Sequence, residues 1–382
     1  MIPHYSDPWL TVYAGDCRAV LATLPSESVH CVVTSPPYWG LRDYGTATWA
    51  GGDDGCDHKP PMSWIADSGD LGERGHILNA NEAKAIRRHG GDCLKCGAIR
   101  QDSQLGLEPT PDLYVENMVA VFREVRRVLR SDGTCWLNLG DSYVGTGSKG
   151  DLTDPKYREG RNGQRVALNN KVVGLKSKDL VGIPWMVAFA LRADGWWLRQ
   201  DIIWSKPNPM PESVTDRPTK SHEYLFLLAK SQRYYFDSAA VREPSGPFHA
   251  GGAGNGLDTP RVPDPRKKQD ALGKNTYTGF NDRWREKPVD GRNIRSVWTI
   301  ATQPYPGAHF ATFPPKLVEP CIKAGCPEGG VVLDPFAGSG TVGVVAQHLS
   351  RRAVLIDLNP AYIEQQTKRN AQTPLGLVGA SA

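Results

Sequence analysis

The chain has 382 residues, 40% hydrophobic and 23% charged, a balance that suits a globular protein of one large or two ordinary folding units and excludes a disordered or fibrous chain. The net charge of +4 does not announce a nucleic-acid partner, so any such surface must be local. No run reaches the roughly eighteen apolar residues of a membrane helix, and Met1–Leu10 lacks the basic start and apolar core of a secretory signal, so the chain is expected in the cytoplasm, away from membranes, with its eight cysteines as thiols or metal ligands.

Strand-like apolar runs are expected, in chain order, at Thr11–Ala14, Val29–Thr34, Thr134–Leu139, Leu198–Trp204, Tyr224–Ala229, Val331–Asp334 and Ala353–Asp357. Between them the clearest helix is Asp112–Arg130, where Met118, Val121, Phe122, Val125, Val128 and Leu129 make one apolar face. Asp112 can cap its start and Ser131-Asp132-Gly133 end it. A further helix is expected at Pro315–Ala324. Alternating strands and helices predict an α/β fold with a mainly parallel sheet covered on both faces. Leu198–Trp204 and Tyr224–Ala229, with no evident helix between them, are expected as an antiparallel edge pair. Three polar, Gly-rich stretches, Arg42–Glu108, Val144–Lys178 and Pro244–Arg295, break the rhythm and read as insertions. The division that follows is one core over 1–41, 109–243 and 297–372, an insertion at 42–108, a further region at 244–296, and a tail at 373–382.

The strongest ligand signal is Val331-Val332-Leu333-Asp334-Pro335-Phe336-Ala337-Gly338-Ser339-Gly340-Thr341. An apolar strand ends in an acid and enters a glycine turn that opens a helix, which places the turn at the carboxyl edge of the sheet, where open α/β folds bind ligands. The next strand ends at Asp357, an acid placed to accept ribose hydroxyl hydrogens. The third glycine of the dinucleotide fingerprint is missing, and no Gly-Lys-Ser/Thr follows, so neither a nicotinamide nor a nucleoside triphosphate fits.

The second anchor is Val32-Val33-Thr34-Ser35-Pro36-Pro37-Tyr38. Two prolines stiffen the turn and remove backbone donors, leaving rigid acceptors. Ser35 Oγ and the Pro36 carbonyl can together accept both hydrogens of an amino group and orient its nitrogen lone pair. Tyr38 offers a face on which an extruded base can stack. The bland alternative for this string is a rigid strand-terminal loop.

With these two strings, the chain resembles the amino-group DNA methyltransferases of restriction–modification systems and phages, over most of 10–41, 109–243 and 297–370. The order, S-P-P-Y before D-P-F-A-G-S-G-T, is that of the family's β arrangement. The resemblance implies a class I fold around a seven-stranded sheet, S-adenosylmethionine as cofactor, double-stranded DNA as substrate, base flipping, and a cognate restriction endonuclease as partner. Ser35, Pro36, Pro37 and Tyr38 would be catalytic. Asp16 and Cys17 of Gly15-Asp16-Cys17, Phe313 of His309–Pro314, Asp334 to Phe336, Gly338 to Thr341, and Asp357, Leu358 and Asn359 would bind the cofactor. Trp204–Pro211, with Lys206, resembles the segment flanking the flipped base. Serine as the first motif residue marks cytosine-N4 enzymes more often than adenine-N6 enzymes. RNA or protein-amide methylation and a non-catalytic DNA-binding role are the alternatives. Pro320-Cys321 resembles the nucleophile pair of cytosine-C5 enzymes, but its helical setting points to packing.

Cys56-Asp57-His58 and Cys93-Leu94-Lys95-Cys96-Gly97 lie in the first insertion. Cys-x-x-Cys-Gly is a common zinc half-site, and Cys56 and His58 would complete a Cys₃His set around a structural zinc; free thiols or redox use are the alternatives. For DNA, the expected cations are Lys206, Arg266, Lys267, Lys268, Arg283, Arg285, Arg292 and Arg295, with Lys149, Lys156, Arg158, Arg161 and Arg165 in another loop. Tyr277, Phe280 and Trp284 among them make 244–296 the better target-recognition region.

Overall fold

The computed structural model describes residues 1–40, 44–53, 55–58, 93, 95–144, 174–244, 291–303 and 314–371. Among them, strands β1 (Tyr5–Ser6), β2 (Leu10–Ala14), β3 (Val29–Thr34), β6 (Leu129–Leu139), β7 (Trp197–Ser205), β8 (His222–Ala229), β9 (Val297–Thr299), β10 (Val331–Asp334) and β11 (Arg352–Asp357) form one sheet, ordered β1-β2-β11-β10-β3-β6-β8-β7-β9. β4 (Thr48–Ala50) and β5 (Ile99–Gln101) form a separate antiparallel pair. Seven of the nine sheet strands are those expected from the sequence. The two additions, β1 and β9, are two and three residues long, too short for an apolar period to register.

The inner strands β2, β11, β10, β3 and β6 run parallel. β3 is nearly continuously buried, the pattern of a strand with both faces covered. β8 runs antiparallel between β6 and β7, so the expected edge pair exists but is flanked on both sides. This reversal matters for the site. The beginning of β8 and the end of β7 reach the same sheet edge as the carboxyl ends of the parallel strands, with Leu139 opposite Tyr224 and Ser205 opposite His222.

Helices α1 (Cys17–Thr23), α2 (Pro111–Val128), α3 (Ile183–Ala193), α4 (Pro315–Gly325), α5 (Thr341–His348) and α6 (Pro360–Ala371) cover the sheet. α2 buries Tyr114, Met118, Val121, Phe122, Val125 and Val128 completely against Leu137, Leu139 and Phe226. Truncating a ring such as Phe122 there would cost about 3–5 kcal/mol. The ends of α2 differ from expectation. Thr110, not Asp112, caps it, its hydroxyl accepting from Leu113 N at 3.2 Å, with Pro111 in the first helical position. Ser131-Asp132-Gly133 does not end it either, because β6 begins at Leu129 and runs through those residues. Among the described residues no helix is long and apolar enough to cross a membrane.

Residues Asp237–Arg295 form a compact unit of their own. Of its described residues, Glu243 and Arg292 pair their backbones, and the Glu243 carboxylate binds both Arg292 and Arg295 at 2.8 Å. Gly291 is required there, since a Cβ would lie 2.6 Å from the Glu243 carbonyl oxygen and φ is +92°.

Candidate active site at the carboxyl edge of the sheet

β3 and β10 are adjacent and parallel, with Val32 opposite Leu333, so the turns that follow them emerge side by side. A direct bond joins them: Thr34 Oγ1 donates to Asp334 Oδ1 at 2.6 Å, and both side chains are buried. The two strings found in the sequence, 300 residues apart, thus meet at one edge.

On the glycine-turn side, Asp334 also accepts from Phe336 N at 3.1 Å. Burial pushes its carboxyl up to about 7, with the nearby Asp357 charge adding and the Thr34 and Phe336 donors opposing. Asp357 accepts from Gly338 N at 2.7 Å through one oxygen and from Asn359 N at 2.8 Å through the other, and burial pushes it up to about 6. Each oxygen keeps acceptor capacity beyond one backbone donor. Gly338 (φ +49°) has open space where a side chain would stand, room for a ligand to lie against the backbone. Behind the turn, α6 holds it from the interior. Gln366 Nε2 donates to Gly338 O at 2.8 Å, Asn370 Nδ2 to Gly340 O at 3.4 Å, and Arg369 Nη1 to Ser339 O, Ser339 Oγ and Thr341 Oγ1 at 3.0–3.1 Å. The Ser339 and Thr341 side chains are therefore buried on the scaffold side, and their expected part in cofactor binding is left to their backbone.

Two expected contacts from the N-terminal string lie near the end of β11. Asp16 caps α1, accepting from Arg18 N at 2.8 Å, and pairs with the Arg18 guanidinium at 2.9 Å. Burial would raise its carboxyl, but the Arg18 bonds outweigh it and hold it below the usual range. Gly15 N donates to Asp357 O at 2.9 Å, which ties the segment to the end of β11. The Cys17 thiol is pushed up to about 12 by burial, with the Asp16 charge adding, and stays neutral. Pro335 is buried, and Phe336, Leu358 and Asn359 are partly exposed just beyond the ends of β10 and β11. Phe313 lies outside the described residues.

The S-P-P-Y turn is held by a network that sequence reasoning did not find. Asn138, buried at the end of β6, donates through Nδ2 to Tyr224 O at 3.0 Å, which turns its Oδ1 toward the turn. Ser35 Oγ donates to that oxygen at 3.2 Å, and Tyr38 OH lies 2.9 Å from it and 2.7 Å from Glu223 Oε2. With the tyrosine hydrogen on the carboxylate and the serine hydrogen on the amide, Ser35 Oγ keeps its lone pairs for an incoming donor. Burial, then the Glu223 charge, holds the Tyr38 hydroxyl far above its ordinary value, so it stays protonated. The Tyr38 ring packs on Gly140, where a Cβ would lie 2.5 Å from its Cε2. Tyr114 OH donates to Pro37 O at 2.9 Å and fixes the second proline. A signal for Asn138 and Gly140 was present, as Asn-Leu-Gly at the end of an apolar strand; Glu223 carried none, because only the antiparallel return of β8 brings it here.

Lys206, expected at the DNA, is ion-paired to Glu223 and sits 4.3 Å over the Trp204 ring, with its side chain 16% exposed. It faces the S-P-P-Y turn, through Glu223, rather than an open surface. Arg292 and Arg295 are exposed but share Glu243, as described above. Arg266, Lys267, Lys268, Arg283 and Arg285 lie outside the described residues, as do Lys149, Lys156, Arg158, Arg161, Arg165, Tyr277, Phe280 and Trp284. Cys321 is fully buried in α4, its Sγ donating to Leu317 O at 3.2 Å and its thiol raised by burial, the packing role expected of it. Cys56, His58, Cys93 and Cys96 converge, their ligand atoms all within 4.8 Å of one another.

Comparison with known proteins agrees with this geometry. The sequence profile of the N6/N4 methyltransferases, described as DNA methylase, matches residues 29–368. The type II methyltransferase M.XycI of Xanthomonas campestris pv. cyanopsidis is 40% identical over 353 residues, covering 92% of this chain and 85% of its own. The type II methyltransferase M.Cfr9I of Citrobacter freundii is 39% identical over 371 residues, covering 96% and 90%. Among solved structures, PvuII DNA methyltransferase (cytosine-N4-specific) aligns with a TM-score of 0.53 at 16% identity, covering 96% of this chain and 88% of that one, a likeness of fold. With its two signature turns bonded at one sheet edge and a profile match spanning most of its length, the chain belongs to the N6/N4 DNA methylase family.

Proposed function

We propose that the protein transfers the methyl group of S-adenosylmethionine to the exocyclic N4 of a cytosine flipped out of duplex DNA. The observation that carries this reading is the Thr34–Asp334 bond, which sets a cofactor crevice and an amine-accepting turn side by side. The crevice suits the cofactor: Asp357 keeps acceptor capacity for ribose hydroxyls, Gly338 leaves its outer side open, and Asp16 stands at the adjoining strand end. When bound, the cofactor supplies a methyl carbon already activated by its sulfonium. The chain's own residues then position the acceptor. Ser35 Oγ and the Pro36 carbonyl accept the amine hydrogens, which directs the nitrogen lone pair at the crevice. Tyr38, anchored by Glu223 and Asn138, presents its ring to the base. Glu223 and Lys206 set the polarity beside it.

Serine at the head of the motif supports cytosine N4 over adenine N6, as does the shared fold with an enzyme described as cytosine-N4-specific. Residues 244–296 are assigned to reading the target sequence, with Arg266, Lys267, Lys268, Arg283 and Arg285 toward phosphates. The likeness to type II methyltransferases supports a restriction endonuclease as genetic partner. The Cys56, His58, Cys93 and Cys96 quartet takes no part in this chemistry; its donor set is that of a structural zinc site. Sequencing of genomic DNA from an expressing host, with modified-base detection, should show N4-methylcytosine at one recurring sequence. Ser35→Ala and Tyr38→Ala should each lower methyl transfer by about 100-fold or more. Wild-type rates in both, or N6-methyladenine in the genome, would overturn the assigned roles or the assigned base respectively.

A further inference from the structure

The structure assigns Cys56, His58, Cys93 and Cys96 to a zinc ion that closes the β4–β5 hairpin and, through it, braces the catalytic turn. Cys56 Sγ lies 3.6 Å from Cys93 Sγ, and Cys96 Sγ lies 3.3 Å from His58 Nδ1. Tetrahedral zinc, with Zn–S near 2.3 Å and Zn–N near 2.0 Å, places such atoms about 3.5–3.8 Å apart. A disulfide would need sulfurs about 2.0 Å apart, so the Cys56–Cys93 separation is that of co-ligands. Three thiolates and an imidazole select zinc over hard, oxygen-seeking cations.

The surrounding backbone is built for this. Cys93 and Ala98 close the knuckle, Cys93 N donating to Ala98 O and Gly97 N to Cys93 O, both at 2.7 Å, with Gly97 at φ +74°. Gly52 passes so close that a Cβ would lie 2.7 Å from Cys96 Sγ. The Trp49 ring stacks on His58 at 5.3 Å, and Lys95 pairs with Asp57 across the two halves at 2.5 Å. The hairpin itself has little apolar interior. β4 and β5 have no buried residue, and among the described residues between them only Ala98 and Cys93 are buried. Three paired residues a side do not hold together unaided in water.

The other end of the hairpin supports the catalytic turn. Tyr44 N donates to Gln104 Oε1 at 2.7 Å and Thr46 Oγ1 to Asp102 Oδ1 at 3.1 Å, knitting the two stems. Gly40 N donates to Gly106 O at 2.9 Å, and Trp39 Nε1 to Glu108 O at 2.8 Å. Gly106 (φ +92°) lies directly on Tyr38, a Cβ there falling 2.8 Å from Tyr38 O. Asn359 Nδ2 also reaches Tyr44 O at 3.4 Å, so one stem touches the cofactor loop. Zinc therefore fixes the register of a strut whose inner end sets the position of Tyr38.

The test uses the full chain, purified under reducing conditions without chelator. Metal analysis should find about one zinc per chain in the wild type. Cobalt reconstitution should give the visible absorption of a tetrahedral thiolate site. Cys96→Ser and His58→Ala should lose stoichiometric metal, whereas Cys321→Ser should keep it. Chelation of the wild type should then lower kcat at least tenfold while leaving S-adenosylmethionine affinity within about threefold, and zinc should restore it. A wild type that takes up neither zinc nor cobalt anaerobically, or variants that retain full metal, would overturn the site. Full metal loss with unchanged kcat would overturn the brace. None of these readings depends on which base is methylated.

Discussion

Asn138 decides where the Ser35 hydroxyl hydrogen points, and small changes around it should be disproportionately costly. Gly140→Ala would push a methyl into the Tyr38 ring, 2.5 Å from Cε2. Methyl transfer should fall about 100-fold, while circular dichroism and cofactor binding stay near wild type; a fully active variant would show that the ring position is not needed. Glu223→Gln removes the charge that Tyr38 and Lys206 share. Its kcat should fall with cofactor affinity unchanged, as a fluorescence titration alongside turnover would show. Asp334 gives a pH signature. Its folded carboxyl stands near 7 against an ordinary 3.8, so the cofactor-free protein holds the extra proton between those values. The stability this contributes is complete below about pH 3.8 and is lost as the pH rises to about 7. Urea unfolding across that range should show the decline, and Asp334→Asn should shrink it, leaving the share contributed by Asp357, which is pushed up to about 6.

At the scale of elements, α6 is the clamp of the glycine turn. Arg369→Ala removes its guanidinium from Ser339 and Thr341 at once. Cofactor dissociation constants should rise about tenfold, the effect of losing one or two buried charge-assisted bonds, and calorimetric titration would measure it. This clamp also shows what the sequence could and could not disclose. Val331–Asp334 and its glycine turn are legible because a buried strand and a close backbone approach restrict residue types locally. Gln366, Arg369 and Asn370 carry no local pattern that sets them apart from other polar helix residues, and only tertiary packing turns them toward the glycine turn. The same holds for the ends of α2, where Thr110-Pro111 outcompeted Asp112 as cap, and for β1 and β9, whose brevity leaves no pattern. Glu223 was invisible because its place follows from a strand reversal, not from any neighbour in sequence. Cys56, His58, Cys93 and Cys96 were legible because metal-ligand side chains announce themselves by chemistry rather than periodicity.

Across the whole molecule, Thr34 and Asp334 join the first third of the chain to the last. Thr34→Val would leave buried Asp334 one donor short, at a cost of about 1–3 kcal/mol, and should weaken cofactor binding although Thr34 stands in the acceptor turn. Thermal unfolding with and without S-adenosylmethionine would measure both effects, and an unchanged cofactor shift would disprove the coupling. The bond also constrains biosynthesis. β3 leaves the ribosome early, yet its partner β10 is encoded some 300 positions later. Central strand pairing must therefore wait until some 300 further residues have been translated, the kind of distant closure that slows folding and leaves nascent edges exposed. Prematurely terminated chains lacking β10 would carry an intact S-P-P-Y turn and still be unable to mark a genome, so modification can begin only once β10 has emerged and paired.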